Sequence, residues 1–121
     1  MESNVDFGKK GERAALDYLI DKGYIILDTN YKSGKNEVDI IARDKGEIVF
    51  IEVKTRSTDW FCDPEYAVKR DKQRAIIKVA NSYILRHRIN EEARFDIISI
   101  ISNENTKEIN HIERAFEPMP F

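Results

Sequence analysis

The amino-acid sequence predicts an α/β domain with a mixed sheet that is covered by helices on both faces. Helix and strand patterns follow one another along the 121 residues in the order α-β-β-β-α-β-β. The strand patterns are nearly unbroken apolar runs, which is typical of strands buried on both faces. The chain also contains 17 Ile but only 4 Leu, and β-branched side chains favour strands. A chain of this length forms one domain, and we expect residues 1–121 to constitute it.

The first half of the chain predicts one helix followed by three strands. Apolar residues first recur at helical spacing, and Gly23 then provides a left-handed stop for the helix. The polar residues 43–47 lie between two apolar runs and predict a tight hairpin. The expected elements are a helix over residues 6–22 and strands over residues 24–27, continuing toward Tyr31, over residues 38–42 and over residues 48–53.

The second half predicts a loop, a long helix and two further strands. Residues 55–62 are polar and predict the loop, and Asp63-Pro64 favours the start of a short helix after it. In the long helix the apolar residues form one stripe and the basic residues occupy the opposite face. The expected elements are a helix over residues 71–88, a strand over residues 94–101, a turn over residues 103–105 and a strand over residues 109–114.

Two of the predicted strands carry charged residues inside apolar runs. Asp39 and Glu52 are costly to bury without a partner, and Lys54 lies on the same face of its strand as Glu52. If the hairpin loop is the two residues Lys45 and Gly46, Asp39 lies directly opposite Glu52, which is destabilising unless a cation sits between them. If the turn has three residues and a bulge at Gly46, the parity of the strand is reversed. The sequence leaves both registers open.

This combination of charged residues suits metal-assisted cleavage of phosphodiesters. Carboxylate oxygens are ligands that Mg²⁺ prefers, and a lysine such as Lys54 can orient the attacking water and neutralise developing charge. Glu12 on the first helix is a further candidate acid. The alternative is a surface hairpin in which Lys54 simply pairs with Glu52 or Asp39.

The charge of the chain is distributed unevenly. The net charge is −2, yet residues 69–88 carry +6 and the other residues sum to −8. Such a basic helix forms either an anion-binding face or a solvated surface. Cys62 is the one cysteine, and neither a secretory signal nor an apolar run of membrane-spanning length is visible. We therefore expect a cytoplasmic protein without a membrane partner.

Several sequence blocks carry a family resemblance. The element order with Asp39 and the segment Glu52-Val53-Lys54 resembles the PD-(D/E)xK nuclease superfamily, and the acid on the first helix is similar to the arrangement in archaeal Holliday junction resolvases. The match is closer to the YraN-like family of small bacterial proteins. The matching blocks are GKKGERAA (8–15), NY (30–31), EVDIIA (37–42), FIEVKTR (50–56), AV (67–68), KQR (72–74) and RFD (94–96).

The resemblance implies a restriction-endonuclease-like αβββαβ core and a DNA endonuclease that depends on Mg²⁺ or Mn²⁺. It implies that Asp39 and Glu52 ligate the metal with the Val53 carbonyl, that Lys54 is the catalytic lysine, and that Glu12 reaches the same site directly or through water. The residues expected to contact nucleic acid are Arg56, Lys72, Gln73, Arg74 and Lys78.

The same resemblance implies that the DNA is branched or damaged. Cutting two strands would need two active sites and hence a homodimer. The alternative function is a nucleic-acid-binding module that has the nuclease fold but no cleavage activity. An interaction protein with a structural acid cluster is a third hypothesis.

Overall fold

The computed structural model describes residues 4–56, 68–102 and 107–117. Its element order confirms the α/β class and the sequence α-β-β-β-α-β-β for the described residues. The start of the short helix, expected at Asp63-Pro64, and the turn expected at residues 103–105 lie outside them. The elements are α1 (Asn4–Asp21), β1 (Ile25–Ser33), β2 (Asn36–Asp44), β3 (Glu47–Arg56), α2 (Arg70–His87), β4 (Glu92–Ser102) and β5 (Lys107–Phe116).

The five strands form one mixed sheet in the order β1-β2-β3-β4-β5. Strands β3 and β4 are parallel, and the other neighbouring pairs are antiparallel. A parallel pair needs a crossover connection, and α2 lies in the connection between β3 and β4. The sheet is therefore mixed, as the sequence predicts.

Each face of the sheet is covered by one helix. Helix α1 places Ala15 and Leu19 in a buried cluster with residues of β2, β3 and β4 such as Ile51. Helix α2 places Ile76 and Tyr83 in a second buried cluster on the other face. The central strands are apolar on both sides because both of their faces are covered, and this explains the continuous apolar runs in the sequence.

The hairpin between β2 and β3 has a two-residue turn. Lys45 and Gly46 both have positive φ, 49° and 83°, as a type I′ turn requires. The strand pairing runs from Asp44 opposite Glu47 to Ile40 opposite Ile51. Of the two registers that the sequence leaves open, the structure therefore has the one that directs Asp39 toward Glu52.

Strand β3 is longer than the sequence predicts. Thr55 and Arg56 were expected in a loop, but they continue β3 and pair with Ile100 and Ile101 of β4. The expectation was wrong because polarity alone predicted the loop, whereas the long parallel neighbour provides partners for both residues. The extension keeps the strand regular beyond Lys54.

Both edge strands contain an irregularity. Strand β1 has a register shift between Ile26 and Asp28, and Asn30 has a positive φ of 50°. The pairing of β4 with β5 shifts between Phe95 and Ile97, and Arg114 of β5 has a φ of 54°. Each edge therefore departs from a continuous ladder of backbone hydrogen bonds.

A buried arginine crosslinks one end of the sheet. The Arg94 side chain is 3% exposed, and its Nε and Nη2 each donate to Asp96 at 3.0 Å. Its Nη1 donates to Asp44 at 3.1 Å and to Glu47 at 3.3 Å, and its Nη2 donates to the Tyr24 hydroxyl at 2.6 Å. Burial by itself would lower the pKa of Arg94, but Asp96, Asp44 and Tyr24 raise it.

Asp96 connects this arginine to β5. Its Oδ2 lies 2.7 Å from His111 Nε2, and its Oδ1 accepts the backbone N–H of Arg114 at 3.1 Å. Burial alone would raise the pKa of Asp96, but the hydrogen bonds from His111, Arg94 and the Arg114 backbone lower it. The carboxylate is therefore ionised and held by several donors at once.

None of the helices in the described ranges is long and apolar enough to cross a membrane.

Replacing Arg94 is expected to destabilise the protein strongly. Arg94→Met keeps much of the side-chain volume but leaves Asp96 as a buried charge without its main partner, so we expect a loss of about 3–5 kcal/mol in the free energy of unfolding. Urea denaturation measures this loss. Arg114→Ala is the control, because the Arg114 side chain is 56% exposed and its pair with Glu47 contributes about 1 kcal/mol or less. Equal stability of Arg94→Met and the wild type would contradict the prediction.

Candidate functional site

The candidate site begins where the pairing of β2 and β3 ends. Beyond the last pair, Ile40 with Ile51, the Asp39 Oδ2 accepts the backbone N–H of Val53 at 2.8 Å. A carboxylate thus takes the place that a carbonyl oxygen of β2 would occupy in a regular ladder. This hydrogen bond fixes the Asp39 side chain beside β3.

Asp39 and Glu52 are in direct contact. Burial, followed by the charge of Glu52, raises the pKa of Asp39 to about 7, and a hydrogen bond between the two side chains acts in the same direction. The Val53 N–H bond and the charge of Lys72 oppose this rise in the pKa of Asp39. Two carboxyl groups at hydrogen-bond distance need either a proton or a cation between them.

Lys72 supplies a positive charge to this acid pair. It lies in the first turn of α2, and its Nζ is 3.6 Å from Glu52 Oε2. The Glu52 side chain is 15% exposed, whereas that of Lys72 is 47% exposed. Lys72, which the family resemblance assigns to nucleic-acid contact, therefore lies at the acid pair.

Glu12 lies near the acid pair but is held separately. Its Oε1 accepts a hydrogen bond from Asn30 Nδ2 at 2.9 Å. Burial raises the pKa of Glu12, the Asn30 bond opposes this, and the charges of Asp39 and Glu37 raise it further. The described parts of the chain contain no group of three His, Cys, Asp or Glu side chains arranged to hold a metal ion. Within these parts, Glu12 is held by its hydrogen bond with Asn30.

A glycine allows α1 to approach β3 beside the site. A Cβ atom added at Gly11 would lie 2.0 Å from Thr55 Oγ1 and 3.0 Å from Thr55 Cβ. Any other residue at this position would therefore require the helix, the strand or the Thr55 side chain to shift. Since Glu12 follows Gly11 directly, this close contact sets the distance of Glu12 from β3.

The remaining predicted residues lie on β3 and α2. The Lys54 side chain is half-buried, two residues beyond Glu52. In the strand register, Lys54 lies opposite Ser99 of β4. Gln73 donates from Nε2 to the Val68 carbonyl at 2.8 Å, so its amide braces the start of α2. Arg56 lies at the end of β3, and Arg74 and Lys78 are exposed on α2.

The sequence reasoning missed the role of three residues around the site. The Asn30 amide donates a hydrogen bond to Glu12, and the Thr55 side chain lies against Gly11. Lys72 contacts Glu52 in addition to lying on the basic helix. Asn30 and Thr55 both lie in blocks that carry the family resemblance, which is the signal that could have identified them. Neither position has a charge that draws attention to it.

The Asp39 and Glu52 pair fits a magnesium ion. Mg²⁺ is usually held by one or two protein carboxylates and keeps several water ligands, so it does not need a third acid. Both carboxyl groups already lie together, and burial together with the charge of Glu52 raises the pKa of Asp39. The Val53 carbonyl adjoins Glu52 in the chain and offers a further oxygen.

The fold and the acid pair together define a restriction-endonuclease-like α/β core. A family model described as "Uncharacterised protein family UPF0102" matches residues 11–100. The chain belongs to this family, which is the YraN family that its sequence blocks resemble, and the family lies in the PD-(D/E)xK-like nuclease superfamily.

Curated relatives match the chain over nearly its whole length. It is 43% identical over 118 residues to a UPF0102 protein of Phocaeicola vulgatus, and the match covers 98% of each chain. It is 46% identical over 116 residues to a UPF0102 protein of Alkaliphilus oremlandii, covering 93% of this chain and 99% of the relative. A UPF0102 protein of Thermodesulfovibrio yellowstonii is 45% identical over 114 residues, and the match covers 94% of this chain and 98% of the relative. These names state no activity.

Substituting Gly11 should destabilise the contact between α1 and β3. We expect Gly11→Ala to lower the free energy of unfolding by about 1–3 kcal/mol, because the new methyl group overlaps Thr55. Gly8→Ala is the matched control, since nothing lies within 4 Å of a Cβ there and alanine favours the helix by about 1 kcal/mol. Adding Thr55→Ala to Gly11→Ala should restore part of the loss in denaturation curves. A Gly11→Ala protein as stable as Gly8→Ala would contradict the close contact.

The acid pair predicts a stability effect that depends on pH. The pKa of Asp39 is about 7 in the folded protein, above its ordinary value of 3.8, so the folded state holds a proton that the unfolded state loses. The ionised Asp39 carboxylate lowers the free energy of unfolding. This destabilisation is absent below about pH 4, grows between pH 4 and 7, and is complete above pH 7. We therefore expect Asp39→Asn to be more stable than the wild type by about 1–3 kcal/mol at pH 8 and nearly equal at pH 4.

Thermal unfolding at both pH values checks this prediction. Asp28→Asn serves as the control because Asp28 lies in the edge strand β1, outside the acid pair. If Asp39→Asn were less stable than the wild type by the same amount at both pH values, the carboxylate would serve as a structural acceptor for Val53 alone.

Proposed function

We propose that this protein is a metal-dependent endonuclease that hydrolyses DNA phosphodiesters. The observation that carries the proposal is the contact of two carboxyl groups, Asp39 and Glu52, at the point where Asp39 also accepts the Val53 backbone N–H. Membership of a family in the PD-(D/E)xK-like superfamily supports the same conclusion. Mg²⁺ or Mn²⁺ is the proposed metal because the ligands are oxygen atoms.

Each residue has a distinct role in the proposed reaction. Asp39, Glu52 and the Val53 carbonyl would hold the metal, and Glu12 would bind water at the edge of the site. The metal, when bound, supplies Lewis-acid stabilisation of charge on the phosphate. Lys54, from the same face of β3 as Glu52, would orient the attacking water and neutralise negative charge that develops on the phosphoryl oxygens.

The exposed basic residues of α2 are the proposed contacts to the DNA backbone. Arg74 and Lys78 are exposed, and residues 69–88 carry +6 in a chain of net charge −2. Arg56 at the end of β3 would extend this surface, and the Gln73 amide would stabilise the start of the helix. A concentrated positive region on an acidic protein is suited to phosphate binding.

Branched or damaged DNA is the proposed substrate. The acid on α1 is the feature that resembles junction resolvases, and cleavage of both strands of a junction would require a homodimer with two sites. A module that binds the same DNA without cutting it is the alternative function, and the cleavage assay distinguishes the two.

Cleavage assays test the proposal. The wild type should cut supercoiled plasmid or a four-way junction with Mn²⁺ or Mg²⁺ and should be inactive with EDTA. Glu52→Gln should remove cleavage while the protein still binds DNA, and Lys54→Ala should slow single-turnover cleavage by on the order of 10² or more. Arg74→Ala and Lys78→Ala should each reduce the slope of log K against log salt by about one unit.

Glu108→Gln is the control for Glu52→Gln, because Glu108 is exposed on β5 and lies outside the proposed site. Equal cleavage by the wild type and by Glu52→Gln would identify a contaminating nuclease. Absence of cleavage of every DNA with every divalent metal, together with retained binding, would replace the proposal with the binding module.

A further inference from the structure

Lys72 is placed differently from the other basic residues of α2. Its ammonium lies 3.6 Å from Glu52 Oε2, so it belongs to the acid pair as well as to the basic helix. Arg74 and Lys78 are two and six residues further on, about 200° and 240° around the helix from Lys72. The helical position therefore directs Lys72 toward β3 and the other two residues away from that direction.

The two partners of this ion pair differ in their freedom to move. The Glu52 side chain is 15% exposed and belongs to β3 in the middle of the sheet, whereas the Lys72 side chain is 47% exposed. A lysine has a long flexible stem, and because the Lys72 side chain is about half exposed, water can solvate its ammonium when the pair opens. Lys72 can therefore leave while Glu52 stays in place.

A divalent cation and the Lys72 ammonium compete for the same carboxylate. Glu52 is acceptor-only when ionised, and two positive groups that approach it repel each other. A phosphate brought to the site by nucleic acid offers the displaced ammonium a new partner with the same chemistry. The exchange therefore leaves the Lys72 ammonium with an anionic partner before and after the cation binds.

We propose that Lys72 is an internal counter-ion that occupies the acid pair until a divalent cation displaces it, and that the released ammonium then binds a phosphate of the nucleic acid. This inference rests on the proposed function, because it assigns the metal to Asp39 and Glu52. It makes metal binding and nucleic-acid binding mutually reinforcing, and the coupling between two binding events is reciprocal. The resting protein thereby holds its two acidic groups without a metal.

Metal titrations without nucleic acid test the displacement. We expect Lys72→Ala and Lys72→Gln to bind Mn²⁺ about three- to tenfold more tightly than the wild type, measured by electron paramagnetic resonance of free Mn²⁺, because the competing charge is gone. Lys45→Asn is the matched control: it also removes one positive charge, lies in the turn at the other end of β2, and asparagine tolerates its positive φ. Its Mn²⁺ affinity should change less than twofold.

The coupling is tested by binding of a labelled four-way junction, measured by fluorescence anisotropy in Ca²⁺ and in EDTA, with gels to verify that the DNA stays intact. Ca²⁺ should increase the affinity of the wild type for the junction, and this increase should be several-fold smaller in Lys72→Ala. Lys45→Asn should keep the full increase.

The outcomes separate this inference from the proposed function. If Mn²⁺ binds the wild type and Glu52→Gln removes that binding, but Lys72→Ala binds Mn²⁺ no more tightly than the wild type, the counter-ion role is overturned and the metal site remains. If the wild type binds no Mn²⁺, the proposed metal site and the counter-ion role are both overturned.

Discussion

The pairing register of β2 and β3 is the constraint on which the site depends. Because side chains alternate along a strand, a slip of one residue would turn Glu52 to the opposite face and separate it from Asp39. The two-residue turn at Lys45 and Gly46 fixes the register at one end. Arg94 reinforces it there, since Asp44 and Glu47, the pair that flanks the turn, both accept hydrogen bonds from its guanidinium. A buried ion cluster at one end of the hairpin thus stabilises the arrangement of the acids at the other.

Asp96 and Asp39 make the same kind of backbone hydrogen bond, but their pKa values shift in opposite directions. In each case, the aspartate accepts a backbone N–H where a ladder is interrupted: Asp39 from Val53, and Asp96 from Arg114. Asp96 also receives a guanidinium and an imidazole, and its pKa is lowered despite burial. Asp39 faces Glu52 instead, and its pKa is raised. The first arrangement stabilises the fold, and the second stores an unfavourable interaction that a cation can relieve.

The sequence predicted the features that depend on local pattern. The element order, the covering of both sheet faces and the proximity of Asp39 to Glu52 in one of two registers all follow from apolar periodicity and strand alternation. The choice between the registers depended on the φ angles of Lys45 and Gly46, which the sequence Lys-Gly does not determine. Arg94 and Asp96 were noted only as part of a family block, although charges within an apolar strand are the same signal that identified Asp39. The Lys72 contact and the fit of Gly11 against Thr55 arise from packing between distant elements, which periodicity does not encode.

The irregular edges of the sheet limit how this chain can associate with other strands. An edge strand with a regular row of free N–H and C=O groups is a template for a strand of another molecule. The bulge in β1 followed by the left-handed Asn30, and the left-handed Arg114 in β5, break both rows. A continuous intermolecular sheet would require these residues to straighten first. Addition of a further strand at either described edge of the sheet is therefore disfavoured.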